Sequence, residues 1–241
     1  MKIALVTGAG KRIGQGLALF MLEAGYHVIL HANASLPEIQ AWVERHPRKA
    51  QVLATIGADF TRATDQEYLC TEIKKIVRHL DVVVNNASLY SPVPFESVDR
   101  EQFRNMQAVN LEAPFFITQS LLPLLKRSKN PSVINIVDAL WERPSPQFAH
   151  YAVSKAGLAV LTHALARELA PLIRVNAVAP GAILFPSFLK EEQRQKIIEK
   201  IPLKRLGTIN DIGNAVIYLS EKALSSTGTI LMVDGGRSLT S

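Results

Sequence analysis

Ile3-Ala4-Leu5-Val6-Thr7-Gly8-Ala9-Gly10-Lys11-Arg12-Ile13-Gly14 is the stretch from which the fold can be read. A short apolar run enters a glycine turn. Beyond it Ile13, Leu17, Phe20, Met21 and Ala24 recur at helical intervals, with Gly25 placed to end the helix. Strand, glycine turn and helix in that order open a βαβ unit. The helix N-terminus there offers free N–H groups and the positive end of its dipole to a phosphate. A glycine turn that serves packing alone is the competing reading; its place at the first strand favours phosphate binding.

Outward from this turn, Ile3 to Thr7, His27 to His31, Gln51 to Ala58, Val82 to Asn85, Val133 to Val137, Arg174 to Val178 and Thr229 to Val233 read as strands separated by helical stretches. That alternation predicts an α/β protein, a doubly wound, seven-stranded parallel sheet with helices on both faces, a Rossmann fold. No repeat or low-complexity linker divides residues 1–241, so one domain is expected. The least regular part is an insertion around 182–207, where Leu184, Phe185 and Phe188 precede a helical-looking Lys190 to Lys200; after a strand's C-terminal end, such an insertion suits a substrate lid.

Among 241 residues, 27 Lys and Arg face 21 Asp and Glu, a formal charge of +6. The basic residues are scattered and not interleaved with aromatics, which argues for a solvated surface and against a nucleic-acid partner. Cys70 is the single cysteine, so no intrachain disulfide and no cysteine-rich zinc site can form. The histidines lack metal-ligand spacing, and no metal is expected. The N-terminus lacks the apolar segment of a secretory signal, and no stretch approaches the roughly 18 uninterrupted apolar residues of a membrane span. A cytoplasmic protein is expected.

Tyr151-Ala152-Val153-Ser154-Lys155 lies in a segment of helical spacing, Tyr151 to Leu169, which puts the phenol and the ammonium on one helix face. The ammonium favours the phenolate and draws the phenol's proton-transfer range toward neutrality, so Tyr151 can serve as acid or base. An isolated pair of this kind is usually a helix surface. A cofactor preference is read at the end of the second strand. A carboxylate there would bond the ribose of NAD and repel the extra phosphate of NADP. His31-Ala32-Asn33-Ala34-Ser35 has none, and Lys11 and Arg12 add positive charge, so NADPH is the expected cofactor. No Arg or Lys follows His31 to grip that phosphate; His31 itself reads as a strand-end residue near it.

The glycine turn, Asp59 after the third strand, Asn85-Asn86-Ala87-Ser88 after the fourth, Asn110, Tyr151 with Lys155, and Pro180-Gly181 after the sixth occur in the order seen in short-chain dehydrogenase/reductases, which the whole chain resembles. The resemblance implies that Asp59 meets the adenine edge, that Asn86 and Ala87 meet the cofactor ribose, and that Lys155 meets the nicotinamide ribose and Tyr151. It implies that Asn110 holds a proton-relay water. The cofactor-binding candidates are Gly8, Lys11, Arg12, Ile13, Gly14, His31, Asn33, Ala34, Ser35, Asp59, Phe60, Asn86, Ala87, Ser88, Tyr151, Lys155, Pro180, Gly181 and Ile183. Relatives form tetramers or dimers through the helices around Asn110 and Tyr151, which implies a homo-oligomer.

Two positions depart from the common family pattern. Arg12 replaces a glycine, and Asp138, thirteen positions before Tyr151, replaces a substrate-binding serine. With Asn86-Ala87-Ser88 and Asp234-Gly235-Gly236-Arg237, they resemble pteridine reductases and bacterial dihydromonapterin reductases. A carboxyl group suits a heterocycle with adjacent N–H donors better than it suits a ketone oxygen. It also raises the phenol's pKa against the effect of Lys155, so the three groups titrate together. Arg12 can span cofactor phosphate and substrate; the plainer alternative leaves Arg12 in solvent and Asp138 capping a turn. Tyr90 is the candidate stacking platform for a pterin, with an ordinary surface tyrosine as the alternative. The expected catalytic set is Asp138, Tyr151, Lys155 and Asn110. The substrate set is Arg12, Ser88, Tyr90, Asp138, Tyr151, Leu184 and Phe185. The expected activity is NADPH-dependent reduction of a dihydropterin, such as dihydromonapterin, dihydrobiopterin or dihydrofolate. A 3-oxoacyl or other carbonyl reductase is the alternative, and a low-turnover cofactor sensor or scaffold the alternative of another class.

Overall fold

Strands β1 (Lys2–Val6), β2 (Tyr26–Ala32), β3 (Val52–Gly57), β4 (Val82–Asn85), β5 (Ser132–Ile136), β6 (Arg174–Pro180) and β7 (Ile230–Val233) form one parallel sheet in the order β3-β2-β1-β4-β5-β6-β7. The computed structural model describes residues 1–185 and 189–240. Each expected strand is present, to within one or two residues at most ends.

Alternation along the strands divides the core between two faces. Ala4 and Val6 point toward α1 (Arg12–Glu23), α2 (Leu36–Arg45) and α8 (Ile209–Ile217), meeting Leu17, Met21, Ile39, Ile212 and Val216. Ile3 and Leu5 point the other way, toward α3 (Ala63–Ile76) and α5 (Ala113–Leu125), meeting Leu69, Ile73, Ile117 and Leu121. With both faces covered, β1 and β4 to β6 read as nearly unbroken apolar runs. Each fully buried Leu or Ile contributes about 1.5–3 kcal/mol relative to exposure.

Two further helices, α4 (Arg100–Gln107) and α6 (Ala149–Glu168), pack against each other, and α7 (Glu191–Lys200) follows β6 as expected. The helical run Arg100–Leu125 is long and apolar enough to cross a membrane by composition alone, yet Ile117, Leu121 and Leu125 are sealed against the sheet, as in a core helix.

A buried polar chain locates α6. Asn85 Nδ2 donates to Asn135 Oδ1 at 2.9 Å, Asn135 Nδ2 donates to Thr162 Oγ1 at 2.9 Å, and Thr162 Oγ1 donates to Leu158 O at 2.8 Å. Every link is satisfied, so the chain fixes the helix bearing Tyr151 and Lys155 against β4 and β5 without leaving an unpaired group. Strand order reverses direction between β1 and β4. At such a switch point the loops on either side diverge and leave a crevice at the strands' C-terminal ends.

Candidate active site

The crevice holds a cavity of about 760 Å³. Except for Asn110, every residue proposed above for cofactor, substrate or catalysis lines it. Phe188 lies outside the described residues.

Beside β1 the glycine turn is shaped by contact with its own neighbours. Gly8 has φ +66°, and a Cβ there would stand 2.7 Å from Ala87 Cα; at Gly14 it would stand 1.9 Å from Gly8 O. Asn86 braces the turn, its Nδ2 donating to Thr7 O at 2.9 Å and Gly8 O at 3.2 Å. Among the described residues the amides of Arg12, Ile13 and Gly14 have no acceptor, which leaves an open set of donors facing the cavity at the start of α1.

His31 ties this turn to β3. Its Nδ1 accepts from Gly8 N at 3.1 Å, its Nε2 donates to Ala58 O at 3.0 Å, and the ring stacks on Phe60 at 3.9 Å. These bonds require the neutral Nε2–H tautomer, and burial pushes the pKa down to about 4. The unfolded chain therefore binds more protons than the folded one between about pH 6.5 and pH 4, and folding stability falls as pH drops through that window. The expected loss is on the order of 3 kcal/mol. His31→Gln should flatten the decline, as measured by urea unfolding at a series of pH values.

At the centre of the cavity Tyr151 Oη donates to Asp138 Oδ2 at 2.9 Å, and Asp138 Oδ1 accepts from Leu140 N at 2.8 Å. Asp138 thus caps its turn and still engages the tyrosine. Lys155 Nζ donates to Ile136 O at 2.8 Å and lies 5.9 Å from the Tyr151 ring centre. The expectation that the ammonium draws the phenol toward neutrality does not hold in this arrangement. Burial first, then the charge and hydrogen bond of Asp138, raise the Tyr151 pKa well above its ordinary value. Burial lowers that of Lys155 to about 8, with Asp138 opposing the fall.

Asn110 is fully buried in a π-helical turn, Ala108–Glu112. Its Oδ1 accepts from Leu89 N at 2.8 Å, and its Nδ2 faces Leu89 O at 3.1 Å and Ser154 Oγ at 3.0 Å. The side-chain amide thereby anchors the loop after β4 to α6. Ser88 Oγ donates to Leu89 O at 3.1 Å. Asp59 Oδ1 accepts from Thr61 N and Thr61 Oγ1.

Arg12 adopts φ +55°, a left-handed conformation that costs a side-chain-bearing residue roughly 1–2 kcal/mol and explains why glycine suits the position. Its Nη2 donates to Leu184 O at 2.9 Å, so the guanidinium ties the turn to the segment after β6. Tyr90 stacks on Phe148 at 4.7 Å and meets Tyr151 at 4.9 Å, nearly perpendicular. Phe148 escaped sequence reading, although its place three residues before Tyr151 puts it one helical turn away. Trp141 and Arg237 also line the cavity.

A family model described as enoyl-(acyl carrier protein) reductase matches residues 8–238. The 3-oxoacyl-[acyl-carrier-protein] reductase FabG of Staphylococcus epidermidis is 34% identical over 98% of both chains, and its Thermotoga maritima counterpart is 30% identical over 98% of this chain and 97% of the relative. The crystal structure of FolM alternative dihydrofolate reductase 1 from Brucella canis, complexed with NADP, superposes with a TM-score of 0.91 at 31% identity, covering 100% of this chain and 95% of the other. Coverage from the glycine turn to the residues after β7, with the strand order and the Tyr151/Lys155 helix in place, makes this chain a member of the short-chain dehydrogenase/reductase family.

Proposed function

We propose that the protein is an NADPH-dependent reductase of pteridines. The observation that carries this reading is the 2.9 Å hydrogen bond from Tyr151 to Asp138. A carboxylate in reach of the reacting atoms opposes an alkoxide developing on a ketone, whereas paired N–H donors of a reduced pterin satisfy it. The structural relative named for dihydrofolate reduction supports the reading. The FabG relatives favour the second reading, reduction of a 3-oxoacyl thioester, and outweigh it in sequence comparison.

The residues present fit the cofactor. The open amides of Arg12, Ile13 and Gly14 suit a pyrophosphate, and Asn33, Ser35 and Lys11, without a carboxylate among them, line the place for the adenosine phosphate. A reduced nicotinamide supplies the hydride when bound. Lys155, charged at neutral pH and held by Ile136 O, lowers the energy of negative charge arising on Tyr151. Substrate N–H groups draw Asp138 off the phenol, which removes the interaction that holds the proton on Tyr151 Oη. That proton is then available to a ring nitrogen. Asn110 positions Leu89 and Ser154. The segment around 182–207, joined to Arg12 through Leu184, acts as a lid over the site. Phe103, Phe115, Phe116, Val153 and Val160, exposed on α4, α5 and α6, suit a homo-oligomer of a cytoplasmic enzyme.

NADPH oxidation with dihydromonapterin, dihydrobiopterin and a simple 3-oxoacyl ester tests the assignment. Preferential turnover of a pterin is expected. Asp138→Ser should lower pterin turnover by roughly 10²-fold and leave the ester rate equal or higher. Turnover of the ester alone would establish the 3-oxoacyl reading.

A further inference from the structure

The inner cavity is occupied by the groups assigned above, but its outer wall carries a charge they leave unused. Past Tyr151 the wall is aromatic, formed by Tyr90, Phe148 and Trp141, and Arg237 stands at that end. Burial first, then the charge of Asp138, raise the Tyr90 pKa, and Arg237 is close enough for its charge to oppose them. Among the described residues, no carboxylate lies within ion-pair distance of Arg237. The two acids lining the cavity are engaged elsewhere, Asp59 by Thr61 and Asp138 by Tyr151.

The position of Arg237 is built by its loop. Gly235 and Gly236 have φ +64° and +86°, and Asp234 accepts from Gly236 N at 2.9 Å and Ser238 N at 2.6 Å. Arg143 Nη1 donates to Ser238 O at 3.2 Å and ties this loop to the one that carries Trp141. A guanidinium held half-buried with no counter-ion among the described residues loses hydration with no electrostatic return until an anion arrives. Its planar fork matches the two oxygens of a carboxylate or a phosphate.

We propose that Arg237 forms an anion subsite, so that the substrate carries a carboxylate or phosphate on a tail extending from the reducible group past Tyr90. The inference rests on this cavity being the reductase site, and it specifies the substrate class for either reading. A glutamyl carboxylate attached to a pterin and a phosphate of a pantetheine thioester present the same chemistry.

Two substrate pairs separate tail charge from ring or acyl identity. Dihydrofolate is set against dihydromonapterin, and acetoacetyl-coenzyme A against acetoacetyl-N-acetylcysteamine. In Arg237→Gln, the KM of the charged member of whichever pair is reduced should rise by about tenfold or more, with kcat little changed. The neutral member should stay within about threefold, and Arg237→Lys should recover part of the loss. Calorimetric titration of the NADP-loaded protein with folate and with 6-hydroxymethylpterin reads the same contrast as a ratio of Kd values. Equal effects on charged and neutral members, or no effect on either, overturn the subsite. Turnover of the thioester pair alone overturns the pteridine reading, and the subsite then stands or falls on the ratio within that pair.

Discussion

Tyr151→Phe is expected to lower turnover by about 10²- to 10⁴-fold while NADPH binding and the fold persist, because the substitution removes one oxygen and the only proposed proton donor to the substrate. The ring keeps its edge-to-face contacts with Tyr90 and Phe148, so packing is conserved. Asp138 Oδ2 loses its donor, a change worth about 1–3 kcal/mol if water does not replace it. Single-turnover absorbance of NADPH and a thermal melt separate the two effects. Because Tyr151 and Asp138 share one hydrogen bond, Tyr151→Phe with Asp138→Ala should be far less damaging than the product of the single losses. Retention of full turnover by the double variant on the physiological substrate would remove both residues from the chemistry.

The second large effect belongs to Lys155. Lys155→Met should lower turnover by roughly 10²-fold, since the negative charge that arises on Tyr151 Oη as its proton leaves loses a cation 5.9 Å from the ring centre. It should also change how stability depends on pH. In the folded chain Lys155 has a pKa of about 8, below its ordinary 10.5. Between those values the unfolded chain binds more protons, so the wild type gains stability relative to the methionine variant as pH rises from about 8 to 10.5. The gap corresponds to about 3 kcal/mol at roughly 1.4 kcal/mol per pH unit. Below pH 8 the difference should be constant, its offset set by the loss of the bond to Ile136 O. Urea unfolding of both proteins from pH 7 to 10.5 is the measurement; a difference independent of pH would show that burial does not lower the pKa of the amine in the folded chain.

Short-range rules made the sheet, the glycine turn and the Tyr151/Lys155 face readable from the chain alone. Strand alternation, helical spacing and the contact of residues four apart all act within a few residues, so the periodicity carries them. The π-helical turn at Asn110 escaped, because one extra residue in a helical turn leaves the apolar spacing almost unchanged. The presence of Asp138 beside Tyr151 was also expected from the sequence, including its tendency to raise the phenol's pKa. Which influence prevails was not legible, since it depends on desolvation and on where an amine four residues away finds its acceptor. Tertiary structure placed Lys155 on the Ile136 carbonyl and Tyr151 on Asp138, and so decided the sign.

The same reason governs the rest of the site. His31 against Gly8, Arg12 on Leu184, and Arg237 near Tyr90 join residues 23, 172 and 147 positions apart, counted along the sequence. No local pattern encodes such pairs, because each forms only after the sheet has brought separate loops to the ends of β1, β4, β6 and β7. The sequence determined the family's framework and which groups are proposed to react; the tertiary structure alone decided which charges are paired, which are buried and which remain open to a ligand, because those properties arise from solvent exclusion and contact across the sheet.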